Sequence, residues 1–214
     1  EEVLNLRRLK KELPPFVYKA PEVSNSTEEI LRDYIPGAIR RRLDAGQNIW
    51  LAELRQVTVL FVNLPDLRSQ ITLEKAQAGM RALQSAIYRF EGSVNKLSVD
   101  DKGVSLLAAF GLPPLSHEDD PVRGLRTALE LREGLTKLGW QCSIGVATGE
   151  AFCGLVGSNR RCEYTMMGDV VNLAARLMQA ANGNILCDFE SQKRSHAAIS
   201  FEKLGPLALK GKSA

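Results

Sequence analysis

The sequence predicts an α+β fold with a ferredoxin-like βαββαβ core that carries additional strands and helices. Three observations support this fold class. Short apolar runs typical of strands alternate with longer segments in which apolar residues recur at helical spacing. The four residues from Asp100 to Gly103 give a strong turn signal between two strand-like runs, which predicts a hairpin. No repeat of about 20–50 residues is present, so a solenoid or propeller is not expected.

The start of the chain is predicted to be a leader that ends in one longer helix. Residues 1–12 are highly charged with spaced apolar positions, which suggests a short helix, and prolines between 14 and 21 predict an extended linker. Ser26 and Glu29 form a capping-box pattern, so a helix is expected from Ser26 to about Leu43. An interruption is expected near Pro36 and Gly37, because proline disfavours helical geometry in the residue before it.

The core elements follow in order along the chain. Helices are predicted from the 3.6-residue pattern, as in Ala76, Met80, Leu83 and Ile87, and strands from shorter apolar runs. The first half is expected to hold a strand at 56–64, a helix at 73–90, strands at 93–99 and 103–110, and a helix at 119–138. The second half is expected to hold strands at 141–148, 151–157 and 162–167, a helix at 169–181, a strand at 184–187, a short helix and terminal strand material. One face of this sheet is left without helices and must be covered.

Composition and charge set broad limits on the function. The chain has 214 residues, of which 44% are hydrophobic, and this is enough for one sizeable core. The net charge of +3 is mild, so nothing in it calls for a nucleic acid or a membrane surface as partner. No apolar run is long enough to span a membrane and no signal-peptide pattern opens the chain, so we expect a cytoplasmic protein. The first residue is Glu rather than Met, so the chain is expected to be a fragment of a longer protein.

The cysteines indicate neither zinc binding nor disulfides. They occur singly in apolar strand contexts without Cys-x-x-Cys spacing, and they are Cys142, Cys153, Cys162 and Cys187. We expect all four to be reduced, buried small hydrophobic residues.

One fourteen-residue segment, from Glu163 to Arg176, joins the end of a strand to the start of a helix. Asn172 and Arg176, four residues apart, share one helical face, while a second face is expected to pack on the core through Val170, Leu173, Ala174 and Leu177. A planar guanidinium beside an amide suits phosphate and ribose oxygens, and the Thr165 hydroxyl can hydrogen-bond a base edge. An isolated Asn-x-x-x-Arg pair is usually a solvated helix face, so the pair alone does not establish a nucleotide site.

This segment resembles the corresponding part of class III nucleotidyl cyclase catalytic domains. Four other segments resemble that family in order and spacing, and they are Gln56–Asn63, Asn95–Phe110, Ser143–Glu150 and Leu209–Lys212. The resemblance covers roughly residues 55–212 and is strongest to the second cyclase domain of the soluble, bicarbonate-responsive type of adenylyl cyclase. It implies the class III cyclase fold, with residues 1–55 as a leader or interdomain connector and 56–214 as a cyclase homology domain whose last strand is truncated.

The resemblance implies that the catalytic metals lie elsewhere. In this family the nucleotide lies between two domains, one of which presents two metal-binding aspartates. Asn63 and Val104 occupy those two positions here, and an amide and an isopropyl group cannot replace two carboxylates as ligands of a hard cation. We therefore expect no catalytic metal site in this domain, and we expect Mg²⁺ or Mn²⁺ to be bound mainly by a partner cyclase domain.

The resemblance also implies the residues that bind the substrate. Lys96 and Thr165 match the pair that contacts adenine, Asn172 is expected to orient the ribose, and Arg176 is expected to stabilise charge on the α-phosphate. Lys212 resembles a lysine that steadies the terminal phosphates. The implied function is the substrate-recognising half of an adenylyl cyclase, which converts ATP to cyclic AMP and pyrophosphate in intracellular signalling. The partner would be a second cyclase domain in the same parent chain or in another chain, and the isolated fragment is expected to be inactive.

Two alternatives remain open from the sequence. The domain is either part of an active cyclase or a catalytically inactive regulatory domain that keeps the pocket for binding or dimerisation. A further alternative is an active homodimer in which Asp66 and Asp101 replace the missing carboxylates, although Asp100 and Asp101 also fit an ordinary turn. His117, beside three acidic residues, is expected to belong to a loop and cap cluster before a helix, and His196 is expected on the surface.

Overall fold

The computed structural model describes residues 23–35, 37–46, 52–67, 71–100, 103–112, 115–158 and 161–205. The chain divides into two compact units between Tyr34 and Ile35. The described part of the first unit is a single helix, α1 (Asn25–Arg32). Its N-cap is Ser24, whose hydroxyl accepts a hydrogen bond from the Thr27 amide at 3.3 Å. The predicted cap at Ser26 is wrong, because Ser24 holds the extended backbone that a cap needs while Ser26 already lies in the first turn.

The second unit contains the predicted order of strands and helices. Its elements are α2 (Gly37–Asp44), β1 (Glu53–Leu64), α3 (Leu73–Arg89), β2 (Ser93–Asp100), β3 (Gly103–Phe110), α4 (Asp120–Lys137), β4 (Ser143–Ser158), β5 (Arg161–Met167), α5 (Asp169–Ala180), β6 (Ile185–Cys187) and α6 (Phe189–Ser195). The two strands expected at 141–148 and 151–157 are one continuous strand, β4. In the parts of the chain that the structure describes, no helix is both long and apolar enough to cross a bilayer. The leader before residue 23 and the terminal strand expected after 205 lie outside the described residues.

The sheet is mostly antiparallel. Its strand order is β2-β3-β1-β4-β5, and β6 pairs in parallel with β4. The central strand β1 sets the register, because Leu60 lies opposite Ala108 of β3 on one side and opposite Val146 of β4 on the other. This antiparallel core, with two helical crossovers, is the predicted α+β architecture.

Helices α3 and α4 cover one face of the sheet. Alternate residues of the three central strands point to that face, since successive side chains in a strand point to opposite sides. They form a buried cluster with the two helices through Leu60, Val62, Leu64, Leu106, Ala108, Phe110, Ile144, Val146, Leu83, Ile87, Leu125, Leu131 and Leu135. This cluster is the main hydrophobic core of the unit.

The opposite face, which was expected to lack helices, is partly covered by α5 and α2. Helix α5 packs on β4 and β1, and Ile39 of α2 is buried in the same cluster. The strand residues of this second cluster are mainly Val57, Val59, Leu107, Ala109, Ala147, Ala151 and Cys153. A smaller area of this face is therefore left for a partner than the sequence indicated.

Strands β4 and β5 extend past the rest of the sheet. Pairing between β1 and β4 ends at Glu53 and Cys153, whereas β4 and β5 remain paired as far as Ser158 and Arg161. Residues 154–158 and 161–165 thus form a two-stranded arm. Tyr164 and Met166 of β5 point back into the second cluster, so the base of the arm is fixed to the core.

Candidate functional site

Helix α5 begins directly after β5, and a glycine makes this connection possible. Gly168 is its N-cap with φ of 158°, and a Cβ there would lie 3.2 Å from the Glu150 carbonyl oxygen and 3.3 Å from the Ala151 Cα. A side chain at this position would be crowded by the backbone of β4. The chain therefore passes from β5 into α5 without a loop, and Thr165 and Asn172 are kept close along the chain.

Helix α5 presents the two predicted site residues away from the core. Its buried residues are Val170, Ala174, Leu177 and Met178, and Leu173 is partly buried against the same cluster. The predicted core-facing stripe is therefore confirmed. Asn172 is exposed and Arg176 is partly buried. Within the described ranges no hydrogen bond or ion pair engages either side chain, so both are available to a ligand.

Two glycines of β4 allow α5 to lie close to the sheet. A Cβ on Gly145 would overlap the Ala174 carbonyl oxygen and the Met178 amide nitrogen, and a Cβ on Gly149 would lie 3.3 Å from Val170. At Gly145 only a residue without a side chain permits this close approach of helix and strand, whereas at Gly149 a methyl group would only be tight. The height of α5 above the sheet, and with it the position of Asn172 and Arg176, is therefore set by these glycines.

The edge strand β2 carries Lys96 next to an irregularity. Val94 lies opposite Ala108, but the next paired residue is Lys96, which lies opposite Leu107, so Asn95 is an extra residue in β2. This is the geometry of a β-bulge, which re-aims the side chains around it. Leu107 belongs to the second cluster, so Lys96 points to the face of the sheet on which α5 lies.

Both Asn95 and Lys96 reach across to β5. The Asn95 side-chain amide donates a hydrogen bond to the Tyr164 carbonyl oxygen at 3.1 Å. The Lys96 Nζ lies 3.8 Å from the Glu163 Oε1, with the two side chains 54% and 47% exposed. Strands β2 and β5 lie at opposite ends of the sheet order, so these contacts show that the arm lies over the face that Lys96 occupies.

Thr165 lies near the residue of β5 that Lys96 contacts. It follows Glu163 by two residues, so both side chains point to the same side of the strand, about 7 Å apart along it. Thr165 is half-buried and lies opposite Gly154 of β4. The contact of Lys96 with Glu163 thus lies two residues from Thr165 along β5. It shows no contact within the described ranges that joins either of them to Asn172 or Arg176.

Asn63 and Val104 occupy the two positions at which the resemblance places metal-binding aspartates. The Asn63 amide donates to the Ser105 hydroxyl at 3.5 Å, and Val104 is 3% exposed within the main core. Among the residues that the structure describes, no group of three or more His, Cys, Asp or Glu side chains is placed to hold a metal ion. The chemistry of these side chains does not fit a magnesium or manganese site.

The alternative carboxylates receive little support from the described residues. The Asp66 carboxylate accepts a hydrogen bond from the Gln141 backbone amide at 2.8 Å, so it serves the loop before β4. Asp101 and Lys212 lie outside the described residues, as does the side chain of Asp100. The roles predicted for them stay predictions.

His117 belongs to a network of charged groups at the start of α4, as predicted. Its Nε2 lies 3.1 Å from Glu91 and its backbone amide donates to Asp120 at 2.9 Å. Arg123 binds both Glu91 and Asp119 at 2.7 Å. Burial raises the pKa of Asp120, whereas the hydrogen bond from Arg123 lowers the pKa of Asp119. This network ties the end of α3 to the start of α4 and has a structural role. His196 is exposed, as predicted.

The cysteines are free thiols, but they differ in exposure. Cys142 and Cys153 are buried, Cys187 is partly buried, and Cys162 is exposed. Burial raises the pKa of Cys153 and of Cys187 to about 11. The expectation of four buried cysteines is wrong for Cys162, because it lies on the arm beyond the edge of the core.

Asn95 and Glu163 are the residues of this site to which the sequence assigned no role. Both lie inside segments that were singled out, but neither has a side chain that suggests chemistry by itself. A bulge leaves no clear mark in a pattern of alternating residues, because it adds a single position. The signal that could have found Glu163 is its two-residue spacing from Thr165, which places both on one side of a strand.

Comparison with known proteins gives one family. The family model described as "Adenylate and Guanylate cyclase catalytic domain" matches residues 51–214. "Adenylate cyclase type 10" of Homo sapiens is 35% identical over 215 residues, which covers 97% of this chain but 13% of that protein. The protein of the same description from Rattus norvegicus is 34% identical over 188 residues, which covers 85% of this chain and 12% of the relative. The chain thus spans about an eighth of the length of these relatives.

Solved structures agree on the fold. The adenylyl cyclase CyaB from P. aeruginosa superposes with a TM-score of 0.69 at 22% identity, over 76% of this chain and 91% of that chain. The guanylyl cyclase Cya2 superposes with a TM-score of 0.63 at 20% identity, over 76% of this chain and 89% of that chain. At this level of identity the likeness establishes the architecture alone.

Proposed function

The chain belongs to the adenylate and guanylate cyclase catalytic domain family, and we propose that it is the substrate-recognising half of an adenylyl cyclase. It would convert ATP to cyclic AMP and pyrophosphate together with a partner cyclase domain that supplies the metal-binding aspartates. The observation that supports this proposal is the 3.8 Å approach of the Lys96 Nζ to the Oε1 of Glu163, which lies two residues before Thr165 on β5. Domains of this family bind nucleotides and work as dimers or paired domains.

The chemistry of Lys96 and Thr165 suits adenine. An ammonium group can donate to a ring nitrogen, and a hydroxyl can both donate and accept at the base edge. Adenine offers ring-nitrogen acceptors beside an exocyclic amine that donates. A lysine can also donate to the guanine carbonyl, so the choice of adenine rests on the resemblance of Lys96 and Thr165 to the pair that contacts adenine in this family. We therefore propose ATP rather than GTP as the substrate.

Asn172 and Arg176 would act on the sugar and the phosphates. An amide can donate to and accept from a ribose hydroxyl, and so hold the ring in one orientation. In the reaction the ribose 3′-oxygen forms a bond to the α-phosphorus, and the bond from that phosphorus to the pyrophosphate oxygen breaks. A guanidinium beside the α-phosphate stabilises the transition state most strongly, because negative charge builds up on the phosphate oxygens there. Arg176, which has no protein partner in the described ranges, is suited to that role.

We assign the catalytic cation, Mg²⁺ or Mn²⁺, to the partner domain. Divalent metals are generally used by this family, but Asn63 and Val104 do not fit a cation. When bound, the metal would supply Lewis-acid stabilisation of phosphate charge. The same absence of carboxylates favours the second candidate function, an inactive regulatory domain that only binds nucleotide. Turnover by the paired domains is what separates the two.

The proposal is tested by base selectivity. ATP and GTP are each titrated to displace a bound fluorescent nucleotide analogue, and the ratio of their affinities is measured. The assay is done on the wild-type protein and on the Lys96→Ala and Thr165→Ala variants. We expect each variant to lose preference for ATP by about tenfold, since each removes one hydrogen-bonding group that reads the base. Lys75→Ala, at an exposed lysine in the first turn of α3, is the matched control. An unchanged ATP preference in both site variants would contradict the proposed recognition.

A further inference from the structure

Two consecutive residues of β2 contact β5, although neighbouring side chains of a strand normally point to opposite faces. Asn95 donates to the Tyr164 carbonyl oxygen at 3.1 Å, and Lys96 lies 3.8 Å from Glu163. The bulge explains this, because Asn95 is the extra residue between two paired positions, Val94 and Lys96. Asn95 and Lys96 therefore contact two adjacent residues of β5, Tyr164 and Glu163.

The Asn95 amide is only half satisfied. Its nitrogen has the Tyr164 carbonyl as partner, but its oxygen Oδ1 is buried and accepts no hydrogen bond in the described parts of the chain. A buried acceptor without a partner is unfavourable, so an amide is not the choice that stability alone would favour at this position. The side chain is better explained by what it holds in place.

Lys96 needs such a support if it is to read a base. Its ammonium group lies at the end of a flexible four-carbon chain, and the side chain is 54% exposed. Its ion pair with the exposed Glu163 is weak because water screens the two charges. A flexible lysine on an edge strand cannot by itself keep a fixed distance from Thr165. The Asn95 hydrogen bond joins the backbone of β5 directly to the residue before Lys96, so it fixes the separation of the two strands at that point.

We propose that Asn95 is a positioning residue for base selection, which acts by locking the bulge of β2 to the Tyr164 carbonyl and so setting Lys96 against Thr165. This inference rests on the proposed function, in which Lys96 and Thr165 read adenine. Asn95 itself touches no substrate in this account. Its removal should change which base is preferred more than it changes folding.

The test compares selectivity with stability in the full-length protein that carries this chain. Asn95→Ala removes the amide, and Asn95→Asp keeps its shape but removes the donor to Tyr164. The kcat/KM for ATP and for GTP and the melting temperature are measured for both variants. We expect the preference for ATP over GTP to fall about tenfold, since small displacements of a positioned group have effects of this size. The melting temperature of Asn95→Ala should shift by no more than about 3 °C, as the loss of one hydrogen bond implies.

Two further variants make the outcomes distinct. Ser98→Ala, on the same strand and on the same side as Lys96, is the matched control and should leave selectivity unchanged. Lys96→Ala tests the proposed function itself. If Lys96→Ala lowers the ATP preference but neither Asn95 variant does, the positioning role is wrong and the proposed function stands. If Lys96→Ala has no effect, or if the wild-type protein turns over neither nucleotide, the base-reading proposal fails and this inference fails with it. Unfolding of both Asn95 variants would also contradict the positioning role, because the amide would then serve stability.

Discussion

Val104 is one of the two positions at which the proposed function expects no metal ligand in this domain. A carboxylate ligand needs access to a cation, whereas Val104 is 3% exposed and packs in the main core beside Leu64 and Leu106. Asn63, by contrast, is half-buried and uses its amide to bind Ser105. Of the two positions that the proposed function leaves without a metal ligand, one is therefore buried in the core and the other is engaged with Ser105.

A carboxylate at position 104 should be costly for the fold. We expect Val104→Asp to lower the free energy of unfolding by about 3 kcal/mol or more, because it buries an ionisable group without a partner. Val104→Ala, which leaves a small cavity instead, should cost about 1–2.5 kcal/mol. Urea denaturation of both variants measures the difference. Equal stabilities would show that the Val104 site opens easily and would contradict this account.

Arg176 is predicted to act in the transition state. Arg176→Ala should lower the kcat of the paired enzyme by about 10²–10³-fold, the usual effect of removing one group that stabilises developing charge. Its melting temperature should stay near that of the wild type, since no side-chain partner of Arg176 is found in the described ranges. Arg126→Ala, at an exposed arginine of α4, is the control. A rise in KM with unchanged kcat would contradict this role, because it would show that Arg176 binds the ground state and the transition state equally.

The network around His117 makes a pH-dependent contribution to the free energy of unfolding. Because burial raises the pKa of Asp120, the folded state holds a proton on this carboxyl that the unfolded state releases. Stability from this group is therefore lost as the pH rises from the ordinary carboxyl pKa through the raised pKa of the folded state. Asp120→Asn should make the unfolding free energy fall less steeply with pH in that acidic window, as followed by urea denaturation at a series of pH values. Glu118→Gln, at the exposed neighbouring carboxyl, serves as the control, and an unchanged slope in Asp120→Asn would contradict the assignment.

At the scale of the elements, the position of α5 depends on close packing against β4. Gly145→Ala should lower the free energy of unfolding by about 1–3 kcal/mol, because the new methyl group overlaps the backbone of α5 at Ala174 and Met178. It should also weaken nucleotide binding, since α5 carries Asn172 and Arg176. Gly134→Ala is the matched control, because nothing lies within 4 Å of its new methyl group and alanine favours a helix by up to about 1 kcal/mol. Denaturation and nucleotide titration of both variants check the two effects. A Gly145→Ala protein that binds nucleotide as the wild type does would show that α5 is not held by this contact.

The elements that the sequence predicted well are those with strong periodicity. Helices α3 and α4 and strands β1 to β3 were predicted within a few residues, because each of them packs one regular stripe or strand face on the core. The continuity of β4 was missed, since its second half leaves the sheet and pairs with β5 alone. The bulge at Asn95 and the cap at Ser24 were missed because each depends on the backbone conformation of one residue, which residue type indicates only weakly.

The candidate site was predicted on a different basis and stays a prediction. Lys96, Thr165, Asn172 and Arg176 were found through resemblance to a family, and periodicity contributed only the orientation of α5. Neither approach could show that β5 approaches β2 over the face of the sheet, because that contact joins residues about seventy positions apart in the chain. Asn95 and Glu163 were therefore recognised only from the three-dimensional arrangement.

At the scale of the whole molecule, the proposed function requires only half of an active site from this chain. The proposed function assigns base, ribose and α-phosphate to residues of this chain, whereas Asn63 and Val104 are an amide and a buried valine. Helices α5 and α2 pack on the face that carries Lys96, and the proposed second domain would cover the rest of it. A pair of identical copies would contain the substrate-reading residues twice and the described metal positions without carboxylates in both.

The most direct test of this account is cyclic AMP formation from ATP with Mn²⁺, measured for this chain alone at high concentration and after addition of a cyclase domain that carries both aspartates. The account predicts no turnover by the chain alone and turnover by the mixture, which Arg176→Ala in this chain should abolish. Turnover by the chain alone, lost in Arg176→Ala, would contradict the central claim and direct attention to Asp66 and Asp101, with Asp101→Ala as the deciding variant. A folded mixture that forms no cyclic AMP would instead favour the regulatory function.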